Sequence, residues 1–330
     1  MRILLVILLF SFVHAVSAQN DSVPYNLYKE QLVLKSSLGY NTAPFSIRGD
    51  FNSTKETLKY RANMNAVLGM GFSYKWLSIS LNFALPGYLK TTTKFGETNY
   101  FDIDLNFDIK RWYFAFDIHS YQGFALIDAV RFSDTLVSPS SSNQLKPNLR
   151  SASVGLNGYR FKNKSFNRKA AIGIVGNYKE DVTSFFVKYT MNLHGVANSA
   201  GLMPSDQLND IRSIVSSNAF SAFDFGAVPG YVYINNVKGW QYGGMAGLGL
   251  VLQSKFYQFN NTTRGFLGLA PRYDLRLMGG YNVSNWFCMI DLQFDNKTIR
   301  FNDIRYGQNY YYLRILYGYR FKKNKIKQPS

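Results

Sequence analysis

The chain has 330 residues, with 37 Lys and Arg against 20 Asp and Glu, a formal net charge of +17, and 24 Tyr and 27 Phe in a 17% aromatic fraction. Its slightly negative mean hydropathy excludes a bundle of membrane helices but not a membrane barrel, whose inward polar residues dilute the average. The single Cys288 excludes an internal disulfide and a cysteine metal site, and the basic excess gathers in short clusters at 160–169 and 322–327, a pattern suited to lipid phosphates rather than nucleic acid.

Arg2 precedes an apolar run from Ile3 to Val13 and small residues from Ala15 to Ala18. This is the pattern of a secretory signal peptide cleaved after Ala18; the run is short of the ~20 apolar residues a spanning helix needs. The chain therefore divides into a signal peptide over 1–18, a barrel over 19–321 and a basic periplasmic tail over 322–330. After a polar lead-in, a first strand runs over 31–40. The stretch 41–59 contains Pro44, Gly49, Asp50 and Asn52 and reads as a long loop. A second strand covers 60–74.

At Tyr74-Lys75-Trp76 the chain turns sharply. Leu77, Ile79, Leu81, Phe83 and Leu85 then alternate with Ser78, Ser80, Asn82 and Ala84. Phe101, Ile103, Leu105, Phe107 and Ile109 alternate with Asp102, Asp104, Asn106 and Asp108. A second corner at Lys110-Arg111-Trp112 leads into Phe114, Phe116 and Ile118, opposed to Ala115, Asp117 and His119. A period of two means strands with one greasy face; on a helix these residues would wind round the whole surface. Weaker strands follow near 185–194, 222–233, 240–255 and 265–281. A third corner delivers Trp286 ahead of Ile290, Leu292 and Phe294. The segment 162–181 fits no strand and reads as a periplasmic flap or a piece folded into the lumen.

The last strand, 310–321, places Tyr311, Leu313, Ile315, Tyr317, Tyr319 and Phe321 on one face and Arg314 and Arg320 on the other. Aromatics at both ends with aliphatics between are the order of a strand crossing a membrane between aromatic girdles, and about 10 residues suffice for one tilted crossing. The expected fold is all-β: an up-and-down antiparallel transmembrane barrel of about 12 strands. Short Trp corners line the periplasmic rim, and long connections near 41–59, 127–148 and 195–221 face outward. Trp76, Trp112, Trp286, Tyr319 and Phe321 form the interface girdle.

The Trp-corner hairpins, the Tyr-Lys-Trp-Leu-Ser-Ile-Ser-Leu run at 74–81 and the closing strand at 310–321 resemble an uncharacterised outer-membrane β-barrel family of bacteroidete-type Gram-negative bacteria. The closing strand also resembles the assembly signal of outer-membrane proteins, although nine residues follow Phe321. The resemblance implies a porin-like location in the cell outer membrane and no established activity, so no functional residues carry over.

With the greasy faces outward, the lumen is lined by Asp102, Asp104, Asp108, Asp117, His119, Lys188, Arg272, Asp274, Arg276, Asp291, Arg314 and Arg320. The two signs nearly balance, which favours ion-pair networks over a single-sign field. The reading is a structural or passive-transport barrel. The expected partners are outer-membrane lipids and lipopolysaccharide, the barrel-assembly machinery through 310–321 and, if the lumen conducts, a small solute. No catalytic residue, metal or cofactor is assigned. One alternative is a lipid hydrolase or deacylase using a lumenal His; His119-Ser120 are adjacent and face opposite ways, leaving no Ser beside His119. The other alternative is a secreted β-sandwich interaction protein. Gly243, Gly247 and Gly249 share a strand face, making room for a bulky neighbour or a bend.

Overall fold

The period-two runs all form strands, and the strands close on themselves. The computed structural model describes residues 25–28, 30–51, 54–133, 136–137, 141–204, 208, 210 and 212–321; the expected signal peptide and basic tail lie outside them. In chain order the strands are β1 (Tyr25–Leu27), β2 (Leu32–Thr42), β3 (Phe45–Phe51), β4 (Thr54–Arg61), β5 (Val67–Tyr74), β6 (Leu77–Ala84), β7 (Asn99–Ile109) and β8 (Trp112–Leu126). They continue with β9 (Gln144–Phe161), β10 (Gly176–Tyr178), β11 (Val182–Ala197), β12 (Ala219–Val237), β13 (Trp240–Phe259), β14 (Thr262–Asn282), β15 (Trp286–Arg300) and β16 (Ile304–Phe321).

Fourteen strands form one antiparallel sheet that closes as a ring of 12. Closure is made at β16, where Arg314 stands opposite Asp291 of β15 on one side and Gly39 of β2 on the other. The one other sheet among the described residues is the two-stranded pair of β1 and β10, not a second layer stacked on an open sheet, and closure of the large sheet on itself overturns the β-sandwich alternative. Closure also removes the free edges that would leave backbone groups unpaired.

The start of β2, the end of β16 and the Trp corners share one rim, where Phe321 pairs with Leu32 and Tyr319 with Trp286. Lys238-Gly239, with φ of 51° and 88°, makes a tight two-residue turn on this rim, the conformation that joins twisted strands most easily. The described residues of the connections 85–98, 127–143 and 198–218 lie at the far rim, where Asn260-Asn261, φ 44° and 61°, make another such turn.

Three boundaries differ from the sequence reading. The stretch 41–59 is not a loop: it carries β3 and most of β4, a hairpin that pairs with the upper part of β16 and with Tyr60↔Leu126 and Arg61↔Ala125 on β8. At the far end these two strands take the place that β2, β5, β6 and β7 occupy below. The hairpin's turn-type residues hid an alternation that is present but with the faces exchanged. Phe45, Ile47, Phe51, Leu58 and Tyr60 point in, while Arg48, Asp50, Lys55 and Lys59 point out. The expected second strand over 60–74 is accordingly two pieces, interrupted at 62–66. The connection expected to 148 stops at 143, because β9 begins at Gln144.

The interior is layered. At the far end, Phe45 stacks on Tyr60 at 4.4 Å among Phe124, Tyr306 and Phe220, and the 198–218 connection adds Leu202, Met203 and Val215. The near end is filled by 162–181, which folds into the lumen. It contains a one-turn helix, Arg168–Ala171, N-capped by Asn167 Oδ1 accepting from the Ala170 amide at 3.0 Å, and β10, which pairs with β1. Phe166, Ala170, Ile174, Val175 and Tyr178 pack there against Val33, Phe186 and Phe287. Between the two apolar ends lies a layer of charge.

Candidate functional site

β-strand alternation sends every second side chain inward, and in the middle of the barrel those residues are ionic. Arg276 grips Asp291 through two hydrogen bonds of 2.6 and 2.7 Å, the bidentate geometry a guanidinium favours. Arg314 lies 3.1 Å from Asp104 and 3.9 Å from Asp291, joining the two acids into a chain. Lys188 pairs with Asp274 at 3.2 Å, and the Tyr159 hydroxyl donates to the same carboxylate at 2.9 Å. Each of these six charges has a counter-charge in reach, the condition under which ions survive burial.

Both described histidines sit between charged groups. His119 Nδ1 lies 3.2 Å from Asp102 and Nε2 lies 3.3 Å from Asp117. Tyr100 donates to Asp102 at 2.6 Å, and Asn157 donates to Asp117 at 3.0 Å. His194 Nε2 is 2.9 Å from Asp224 and 3.2 Å from Arg272, while Arg272 itself pairs with Asp224. Nucleophilic catalysis needs a hydroxyl or thiol within hydrogen-bond reach of the base. Both ring nitrogens of His119 instead face carboxylates, and His194 Nε2 faces Asp224 and Arg272. Among the described residues no three His, Cys, Asp or Glu side chains cluster as a metal site.

Of the twelve residues expected in the lumen, Asp104, Asp291, Arg276 and Arg314 form one linked group. Asp102, Asp117 and His119 form a second, Lys188 and Asp274 a third, and Arg272 joins His194 and Asp224. The structure does not bring Asp108 or Arg320 into this layer. Asp108 lies lower and meets Lys169 of the lumenal segment at 2.9 Å. Arg320, 1% exposed, turns to the same segment: it donates to the Gly173 carbonyl and, at 2.7 Å, to Asn282 Oδ1. A cavity of about 100 Å³ remains between layer and segment, bordered by Lys35, Asp104, His119, Lys188, Arg276 and Arg314.

Sequence reasoning missed Lys35, Arg168, Lys169, Lys297 and Asp224, all buried. Asp224 was readable, since it alternates with Phe223 and Phe225. Lys35 alternates with Leu34 in the same way. Arg168 and Lys169 carry no such signal, because they lie off any ring strand. The near balance of signs therefore does not hold: Lys35 and Lys297 on the wall and Arg168 and Lys169 on the lumenal segment enter against Asp224.

On the outer rim, Trp76, Tyr319 and Phe321 are exposed and Trp112 and Trp286 half-buried. Trp240, after the Lys238-Gly239 turn, joins them; Tyr281 touches both Trp240 and Trp286 at 5.5 Å. The shared glycine face of β13 is also explained in part: Phe186 lies over Gly230 of β12, where a Cβ would collide with its ring, and the same ring reaches across to Gly247, where a Cβ would stand 3.4 Å from it.

A family model described as "Domain of unknown function (DUF4421)" matches residues 19–321. No curated protein sequence matches the chain. Among solved structures, the chain is similar to the translocator domain of the autotransporter NalP from Neisseria meningitidis, with TM-score 0.40 and 8% identity over 97% of this chain and 95% of that one. It is also similar to the COG4313 outer membrane channel from Pseudomonas putida F1, with TM-score 0.39 and 11% identity over 93% and 100%. For the Pseudomonas putida toluene transporter TodX the TM-score is 0.29 and the identity 6%, over 88% and 89%.

Proposed function

The chain belongs to the DUF4421 family, and from that premise we propose that it is an integral outer-membrane β-barrel of structural type, with a filled lumen and no standing passage for solute. One observation carries the membrane reading. On β16, Tyr311, Leu313, Ile315, Tyr317, Tyr319 and Phe321 are 42% to 52% exposed, while Tyr310, Tyr312 and Arg320 are buried and Arg314 is paired inside. β13 and β14 repeat it with Leu248, Leu250, Leu252, Leu267, Leu269 and Leu277 outward. A soluble monomer rarely exposes a contiguous apolar surface of that extent, whereas acyl chains match it. A closed ring also meets the demand that no backbone group be left unpaired in hydrocarbon.

The inverted polarity of β3 and β4 supports placing the far end above the lipid, in water, where polar residues belong outside. The rim with the corners and the end of β16 is then the periplasmic one, with Trp76, Trp112, Trp240, Trp286, Tyr319 and Phe321 at the headgroup level. The filling of both ends by apolar clusters favours the structural branch over passive transport. A polar passage would require 162–181 to leave the lumen and the far-end core to part as well.

Membrane fractionation with gel mobility before and after heating tests the location. An outer-membrane fraction with heat-dependent mobility is expected, and a detergent-free soluble protein would defeat the proposal. Planar bilayers test the filled lumen: silence is expected, and steady conductance steps would reverse the choice between the two branches. A lipid-hydrolysing barrel predicts that detergent extracts of the wild type release fatty acid, with loss of release in His119→Ala; absence of release removes that rival.

A further inference from the structure

We propose that the periplasmic rim carries a binding site for the phosphate headgroup of an anionic lipid, with Arg168 as its buried floor. The inference rests on the outer-membrane reading for the source of the ligand, but the site itself stands on its own geometry. A pocket of about 670 Å³ opens between the β7–β8 corner, the end of β9 and the start of β11. Its edge carries Lys110, Arg111, Arg160, Lys162 and Lys164, all exposed. None of the five makes an ion pair among the described residues. The pocket has one carboxylate, Asp108, already engaged by Lys169 at 2.9 Å.

Arg168 is 5% exposed and borders both this pocket and the central cavity. Its guanidinium carbon lies 4.8 Å from the Tyr113 ring and 4.1 Å from the Tyr159 ring. The aromatic rings cover its faces and leave its N–H edge. On that edge, Nε and Nη1 are buried and have no hydrogen-bond partner. The adjacent acid, Asp274, is taken by Lys188 and the Tyr159 hydroxyl. A buried guanidinium with idle donors is costly, and its planar fork suits two phosphate oxygens. Trp112, Phe185 and Tyr189 line the same pocket from the outer face of the barrel. Together they supply what an amphiphile needs: cations around a phosphate and an apolar flank for its chains.

The test uses the full-length barrel in detergent, with native mass spectrometry reading retention of dioleoylphosphatidic acid against dioleoylglycerol, which differs only in lacking the phosphate. The wild type should retain one phosphatidic acid and not the diacylglycerol. The surface pair Lys162→Gln/Lys164→Gln should weaken retention about 30-fold, and Arg168→Gln should weaken it further, with Arg168→Lys restoring only part. Heat-dependent gel mobility verifies that each variant is folded; if Arg168→Gln is not, the surface pair decides. Equal retention of the two lipids, or of phosphatidic acid by the wild type and the surface pair, overturns the site. Displacement of the lipid by equimolar inorganic phosphate would overturn the lipid assignment in favour of a free anion. Fractionation and conductance are unaffected by any of these results, so failure of this site and failure of the barrel reading are told apart.

Discussion

Lys169, on the segment that enters the lumen, pairs with Asp108 of β7 at 2.9 Å and donates to the Trp76 carbonyl at 2.5 Å. One ammonium thus ties the segment to β7 and to the β5–β6 turn at the rim. Lys169 is fully buried while the Asp108 side chain is about one-fifth exposed. The pair should therefore lie between the weak surface case and the strong buried one.

Replacing either partner should loosen this segment without opening the ring. For Lys169→Met and Asp108→Asn, hydrogen exchange over 165–178 should quicken, and the double variant should show a coupling of about 0.5–3 kcal/mol. Additive effects would mean the pair holds nothing.

The ionic layer should respond differently to half-removal and full removal. Asp291→Ala strands Arg276 and half of the Arg314 linkage, and it should cost about 3–5 kcal/mol in urea unfolding from micelles. The double replacement Asp291→Leu/Arg276→Leu leaves no unpaired charge and should recover most of that loss. If the single and double variants are equally unstable, the ion pair is not what fills this layer.

Outward positions should be graded by depth. Leu313 sits mid-strand on the exposed face and Phe321 at the rim. In the membrane reading Leu313→Arg should cost about 2–4 kcal/mol and Phe321→Arg about 0–1 kcal/mol. Folding yields into lipid vesicles measure this. A soluble particle would tolerate both equally.

Gly318 should reject a side chain. It pairs across from Phe287, and a Cβ there would enter the Phe287 ring, which also packs on Gly173 of the lumenal segment. The Arg320 guanidinium lies 5.0 Å above the same ring. Gly318→Val should therefore displace Phe287 and unseat Arg320, costing about 1–3 kcal/mol. A companion Phe287→Ala should relieve the clash while leaving a void. Unchanged melting in Gly318→Val would refute this packing.

What could be read from the chain was whatever repeats locally. Side-chain direction alternates residue by residue, so Leu313 and Arg314 declare opposite faces without reference to any other strand, and so do Phe107 and Asp108. The Trp corners are equally local, since a tight turn needs only its own few residues. The inward face was legible even where its partners were not: Asp104 could be placed inside, but Arg314, 210 positions away, could not be assigned to it.

Tertiary structure alone decided how the ring closes, that β3 and β4 reverse their polarity above it, and that 162–181 turns inward to fill one end. These depend on contacts between residues far apart in the chain. The lumenal segment has no period of its own, and its Arg168 and Lys169 look like surface charges until the wall surrounds them. The inverted hairpin obeys the same alternation as its neighbours, but which of its faces is inside depends on the medium outside, and that is a property of where the strand lies in the finished barrel.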